Sequence, residues 1–442
     1  MRRELRDRAV AEDLTTGSML MAAAAGEAPP RPVRTLLRDR TFGPYFWGQA
    51  LATMGVWTHN VAAAILMWGL TGSTQWVAAI TIAQFLPQVL VSPWSGGRAD
   101  RADRRRQMVA GTLVAGFGPA LIAAWEVAVG FDTGLGPVIL LAAAGVIGTG
   151  FALSGPATQA LLPSLVRRSE LPSVVAVSSW PMTVARAAGP ALGALLMVAS
   201  GPAVTFALVA ASQFVFAGVM HRRERETLAP LAGRDTRVRA ALTYLRAERP
   251  TAFLLLGVGV VGFGVDPVVT LAPAVAERLG GGADVVGLLA SAFGVGSAVG
   301  FVLLPLVRRR RRLESMATLG LVLLALGLAP LAVLPTTATA AVSLGVAGIG
   351  MALSLTGFTT AIQQRVPDAL RGRVMAIWAV AFLGSRPLAA TLSGGIADVW
   401  SEEVALVAAA LLILVGAVAS RPALTRRHRP ARPATGRAAV EG

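Results

Sequence analysis

Cysteine and lysine are absent from the 442-residue chain, histidine occurs three times, and charged residues make up only 14% of it. Without cysteine there is no disulfide, thiolate metal site or thiol nucleophile. Without lysine the Gly-x-x-x-x-Gly-Lys-Ser/Thr loop that cradles nucleotide phosphates cannot be completed, which argues against direct ATP drive. His59, His221 and His428 lie far apart and form no HExxH-like pair, so neither a metal nor another cofactor is expected. Nor does any other constellation of residues suggest an enzyme. A soluble domain carries about 25% charged residues; this chain, with 54% hydrophobic residues, has too little polar surface to be one.

What charge there is falls in short blocks between long apolar runs, so the bilayer is the solvent this sequence is written for. The net charge of +16 would suit a nucleic-acid binder. The arginines, however, sit at the ends of apolar segments, without an amphipathic basic face or interleaved aromatics. Lipid headgroups and membrane topology account for them, and no nucleic-acid partner is expected. At about 20 apolar residues per crossing, spans are expected near 43–69, 75–97, 107–130, 136–161, 172–199, 202–220, 251–276, 284–307, 313–334, 338–361, 373–397 and 402–420. Arginine blocks occupy every second loop, so these loops and both termini are expected on the cytoplasmic side of a plasma membrane.

The expected fold is an all-α membrane protein of twelve transmembrane helices in two pseudo-symmetric six-helix halves. Residues 1–41 read as a disordered tail, 42–220 as the first half and 221–250 as a cytoplasmic linker with an amphipathic helix. Residues 251–420 read as the second half and 421–442 as a second disordered tail. The segment from Met19 to Ala25 is too short an apolar core for a signal peptide. The halves echo each other. Gln159, Pro163 and Arg167 precede a span containing Arg186, and Gln363, Pro367 and Arg371 precede one containing Arg386.

Between the second and third spans stands Gly96-Gly97-Arg98-Ala99-Asp100-Arg101-Ala102-Asp103-Arg104-Arg105-Arg106. With the twelve spans and the long central loop, this resembles the major facilitator superfamily. Gly96, Asp100, Arg101, Arg104 and Arg105 fit that family's loop, while Asp103 replaces its usual glycine. Asp103, together with the run from Val366 to Leu388, is similar to the branch containing the enterobactin exporter and macrolide efflux proteins. In span five, Gly189, Pro190 and Gly193 match a packing motif of proton-coupled drug exporters, with Ala185 and Ala194 in place of two of its glycines. The physical reading of the motif is close helix packing with a proline bend. The resemblance implies a cytoplasmic gate in which Asp100 meets the positive N-terminal end of span eleven, near Arg371 and Arg373.

Polar residues inside spans are costly and normally face a cavity or a partner. Arg186 and Arg386 each lie near mid-membrane, where they could bind cargo or hold helix packing. Asp266, followed by Pro267, is the best acidic candidate for proton exchange, since a carboxylate in apolar surroundings can take up and release a proton. A helix bend is the other reading. His59 and Asn60 interrupt the first span; Gln84 and Gln88 share one face of the second. With Gln159 and Gln363 at the ends of spans four and ten, they could line a path or join helices. The expected function is secondary active export of a small organic molecule, drug-like or siderophore-like, by alternating access with proton antiport. The expected partners are the cargo, protons and the bilayer, and the expected state is a monomer. An importer or facilitator of a small nutrient, or a non-transporting sensor or scaffold, are the alternatives.

Overall fold

The computed structural model describes residues 31–99, 103–222 and 238–425. Their helices are α1 (Val33–Leu37), α2 (Phe42–Thr71), α3 (Thr74–Ala99), α4 (Arg104–Ala128), α5 (Gly136–Leu161), α6 (Leu171–Ser178) and α7 (Trp180–His221). After the central gap come α8 (Val238–Ala247), α9 (Arg249–Val265), α10 (Pro267–Thr270), α11 (Ala272–Arg278), α12 (Ala283–Arg310) and α13 (Leu313–Leu328). The chain continues through α14 (Thr337–Arg365), α15 (Asp368–Val399), α16 (Glu402–Ala419) and α17 (Pro422–Thr425).

Local chemistry sets the helix ends. Gly72 closes α2 in the left-handed region (φ 59), where a side chain would be strained. Asp103, Thr336 and Ser401 accept N–H bonds at the starts of α4, α14 and α16. Eleven helical segments among the described residues are long and apolar enough to cross a bilayer. One of them, Leu171–His221, has 51 residues. That is about 75 Å of helix, more than twice the hydrocarbon thickness. It breaks at Gly201 (φ 73, ψ −179) ahead of Pro202, a conformation open to glycine alone, and so crosses twice. The twelve expected crossings are present.

Helices α2–α7 form one half and α9–α16 the other. The second half has one continuous apolar core, into which α8 inserts Ala241 and Leu245. The first half has two cores. Phe42, Tyr45, Met108, Phe216 and Met220 fill its arginine-rich end, and Met67, Ile122, Leu140 and Phe206 fill the other. Many large apolar side chains, among them Val127, Leu195, Val302 and Val342, stay exposed. In a chain with these spans they are the surface offered to lipid tails.

Part of the expected N-terminal tail is folded. Leu36 of α1 is buried, and the Arg31 guanidinium bridges Glu170 at 2.6 Å and Asp39 at 2.7 Å. The hydrogen bond from Arg31, helped by the N–H of Arg167, holds the Glu170 carboxyl below the usual range despite its burial. Burial pushes Asp39 upward, but N–H donors from Thr41 and Phe42 and the Arg31 charge outweigh it and hold Asp39 at about 2. The sequence hides this anchor because its partners are separated by more than 130 residues. The expected second tail likewise begins with α17. Of the expected linker, residues 223–237 lie outside the described residues, as do Asp100 and Arg101 of the gate loop.

Candidate functional site

Two charged side chains pair where the halves face each other, and a third, Arg186, lies across the seam. Asp266 stands between α9 and α10 with helical backbone angles (φ −67, ψ −42), and its carboxylate is completely buried. Asp266 Oδ2 accepts a 2.8 Å bond from Thr270 Oγ1, one turn on, while Oδ1 has no hydrogen-bond partner among the described residues. Arg386 of α15 brings Nη2 to 3.8 Å from Oδ1, and its side chain is only 12% exposed. The first half completes the arrangement: the Phe85 ring of α3 lies 4.2 Å from the Arg386 guanidinium carbon. A cation over an aromatic face gains electrostatic attraction that grows as water is excluded.

Beside this pair is a cavity of about 20 Å³, room for roughly one water molecule. Asn60, Thr81, Gln84 and Phe85 line it from the first half, and Val269 and Arg386 from the second. Gln84 reaches toward Asn60 at 3.5 Å, and Gln88 bonds back to the Gln84 carbonyl at 3.1 Å. Thr81, Gln84, Phe85 and Gln88 therefore form one stripe along α3, of which the sequence reading took only the two glutamines.

Arg186 lies across the seam on α7. Its guanidinium carbon sits 5.1 Å from the Trp57 ring, and Nη1 donates to Ser297 Oγ at 3.3 Å on α12. Its Nε is buried with no hydrogen-bond partner among the described residues. Packing fixes the helix that carries it. A Cβ on Gly193 would lie 2.6 Å from the Thr58 carbonyl oxygen, and one on Gly189 would lie 2.5 Å from the Trp57 Cβ. Pro190 is buried and Thr58 Oγ1 donates to the Gly189 carbonyl, so the span-five motif holds α7 against α2.

Other expected residues fall elsewhere. His59 points into the first half, its ring 5.5 Å from Phe206 and its cavity shared with Phe151 and Gln213. One residue from Asn60 is about 100° around a helix, enough to put the two on different faces. Gln159 and Gln363 are exposed and join no cluster. In the gate loop, Gly96 is helical, Arg104 opens α4, and Arg105 donates to the carbonyls of Met220 and His221.

The seam is closed at the end away from the arginine blocks. Trp68 Nε1 donates to Glu277 across the halves at 2.7 Å, and Asp398 of α15 accepts from Ser73, Thr74 and Gln75 around the start of α3. Sequence reasoning missed Asp398 because it lies one residue beyond the expected end of its span. It missed Trp57, Ser297 and Thr270 because polar or aromatic residues in apolar spans gain meaning only from their neighbours.

Two six-helix halves with buried charges at their interface define a membrane transporter of the major facilitator fold. The same fold occurs in the nucleoside transporter NupG, at TM-score 0.70 and 11% identity, covering 85% of this chain and 97% of that one. A bacterial homolog of the human lysosomal transporter Spinster, in an inward-facing, occupied conformation, matches at 0.67 and 14%, covering 85% and 94%. A D-xylose-proton symporter matches at 0.66 and 15%, covering 85% and 97%. No curated protein matches significantly. Over residues 34–431 the sequence matches the transmembrane secretion effector family, and the chain belongs to that family within the major facilitator superfamily. Its members are transporters, not enzymes.

Proposed function

We propose that this chain is a secondary active exporter, moving a small organic molecule outward by alternating access in exchange for inward protons. The carrying observation is the Asp266–Arg386 pair, buried where the halves meet, with Arg386 forming one wall of a small cavity that Asn60, Thr81 and Gln84 also line. The family description, a secretion effector, favours export. The loop residues Arg104 and Arg105, with Asp103 in the glycine's place, favour a cargo class like that of the enterobactin and macrolide exporters.

The pair gives antiport a physical basis. While Asp266 is ionised, it holds Arg386 against the second half, and cargo enters only as the halves part and widen the water-sized cavity. A proton on Oδ1, which accepts no hydrogen bond among the described residues, cancels that attraction, and Arg386, already a wall of the cavity, swings toward Asn60 and Gln84. Proton and cargo then exclude one another, which exchange requires. By the positive-inside rule the arginine-rich end is cytoplasmic. The closed Asp398 end then faces outward and the conformation is inward-facing. The transporter works as a monomer in the plasma membrane, each half moving against the other.

Inverted membrane vesicles, energised with acid inside and given candidate drugs and siderophores, test this. Cargo uptake is expected to release protons from the vesicles, and Asp266→Asn to abolish that release. Uptake that continues unchanged after the pH gradient is collapsed would remove proton antiport.

A further inference from the structure

The two halves touch along two seams related by pseudo-symmetry: α7 against α12, and α15 against α3. Both are packed through small residues. A Cβ on Gly287 of α12 would lie 2.4 Å from the Ala194 Cβ, and one on Gly394 of α15 would lie 2.8 Å from the Ala78 Cβ. Ala194 and Gly394 each stand eight residues beyond their arginine, Arg186 or Arg386, so the seams can be superposed by counting.

Twelve residues beyond the arginines the seams diverge. On α7 the position is Val198, which is exposed; on α15 it is Asp398. The Asp398 carboxylate accepts from the N–H of Thr74 at 2.8 Å and of Gln75 at 3.2 Å, and from the hydroxyls of Ser73 and Thr74. These are the donors a helix start leaves without intrahelical partners, and a negative charge there also meets the positive end of the helix dipole. On the other seam the start of α12 is served from its own half. The N–H of Gly282 donates to Asp284 at 3.2 Å, and no residue of α7 takes part.

We propose that Asp398 is a gating residue, a cap supplied in trans that latches the outer end shut and sets the balance between the two access states. The caps at the starts of α4, α14 and α16 survive any movement of the halves because each lies within its own half. The Asp398 cap does not: opening this end pulls the carboxylate away and leaves two amides and two hydroxyls to water. The single-sided latch makes one seam the releasing edge while the α7–α12 seam, held by van der Waals contact, the 2.9 Å bond from Ala191 N–H to Ser291 and the 3.3 Å bond from Arg186 to Ser297, is free to act as the hinge side. The inference rests on the alternating-access part of the reading above, and on neither its cargo nor its coupling ion.

Because the chain has no cysteine, two spin labels can be placed without background changes. Val127 after the apolar run of α4 and Val333 beyond α13 are both 80% exposed, sit at the Asp398 end, and belong to opposite halves. Distances between labels at Val127→Cys and Val333→Cys, measured by pulsed electron resonance in lipid nanodiscs, are expected to show a dominant short population. Asp398→Ala should raise the longer-distance population about tenfold, the usual scale for losing a charged helix cap. Asp398→Asn, which keeps one acceptor oxygen, should fall between. Should Asp398→Ala fail to fold, Ser73→Ala with Thr74→Ala removes the hydroxyl donors and should shift the populations the same way by a smaller factor. Unchanged distances in the folded variants, or a parent already open at this end, overturn the latch. The measurement needs neither cargo nor a pH gradient. A failed latch would leave the exporter reading standing, and a failed antiport assay would leave the latch standing.

Discussion

Asp266 and Arg386 stand 3.8 Å apart. Removing one member of a buried pair leaves the other charge without compensation, which costs about 3–5 kcal/mol, whereas neutralising both costs much less. Arg386→Ala is therefore expected to lower the detergent melting temperature sharply, and Asp266→Asn with Arg386→Gln to recover most of that loss. Additive effects of the two single changes would mean that the groups do not interact. The residues of this pair were legible in the sequence because ionisable side chains in apolar spans are rare enough to notice one at a time. Their association was not, since 120 residues separate them and either could have faced a different neighbour. His59 is the converse case. It is as conspicuous in the sequence as Asn60, yet the two lie on different faces, and only Asn60 reaches the interface between the halves.

Element boundaries were read with more success, because glycine, proline and apolar run length act locally. The break at Gly201 falls where two expected spans meet, and α8 appears where an amphipathic linker helix was expected. The short α1 was not legible. Five residues give no usable period, and its anchoring partner Glu170 belongs to the connection between α5 and α6. The clamp formed by Arg31, Asp39 and Glu170 has a pH signature. Both carboxyls are held below their ordinary values of 3.8 and 4.5, so the stability they contribute is fully present above those values and fades as pH falls, for Asp39 through about 2. Thermal melting should therefore decline between about pH 4.5 and 2. Arg31→Gln should lower melting at neutral pH and flatten that acid-side slope, because the carboxyls then titrate closer to their unfolded values. An identical slope with and without Arg31 would show that the clamp adds nothing to stability.

At the scale of the whole molecule, the access state hangs on which end faces the cytoplasm, and the same structure is inward-facing under one choice and outward-facing under the other. The positive-inside rule favours the inward-facing one, as proposed above. Arg308 to Arg312 are five consecutive exposed cations beyond a long apolar span, and moving such a block across a bilayer is far less favourable than leaving it where it is synthesised. The connections at the other end, around Ser73, Asp132 and Thr336, hold no comparable block. With no native cysteine to confuse labelling, Asp132→Cys and Thr336→Cys should react with a membrane-impermeant maleimide in intact cells. Arg222→Cys and Arg311→Cys should react only after the membrane is opened. The reverse pattern would place the Asp398 latch on the cytoplasmic side and turn the closed end inward. The cavity would then face the outside, and the conformation would be the outward-facing member of the alternating-access pair.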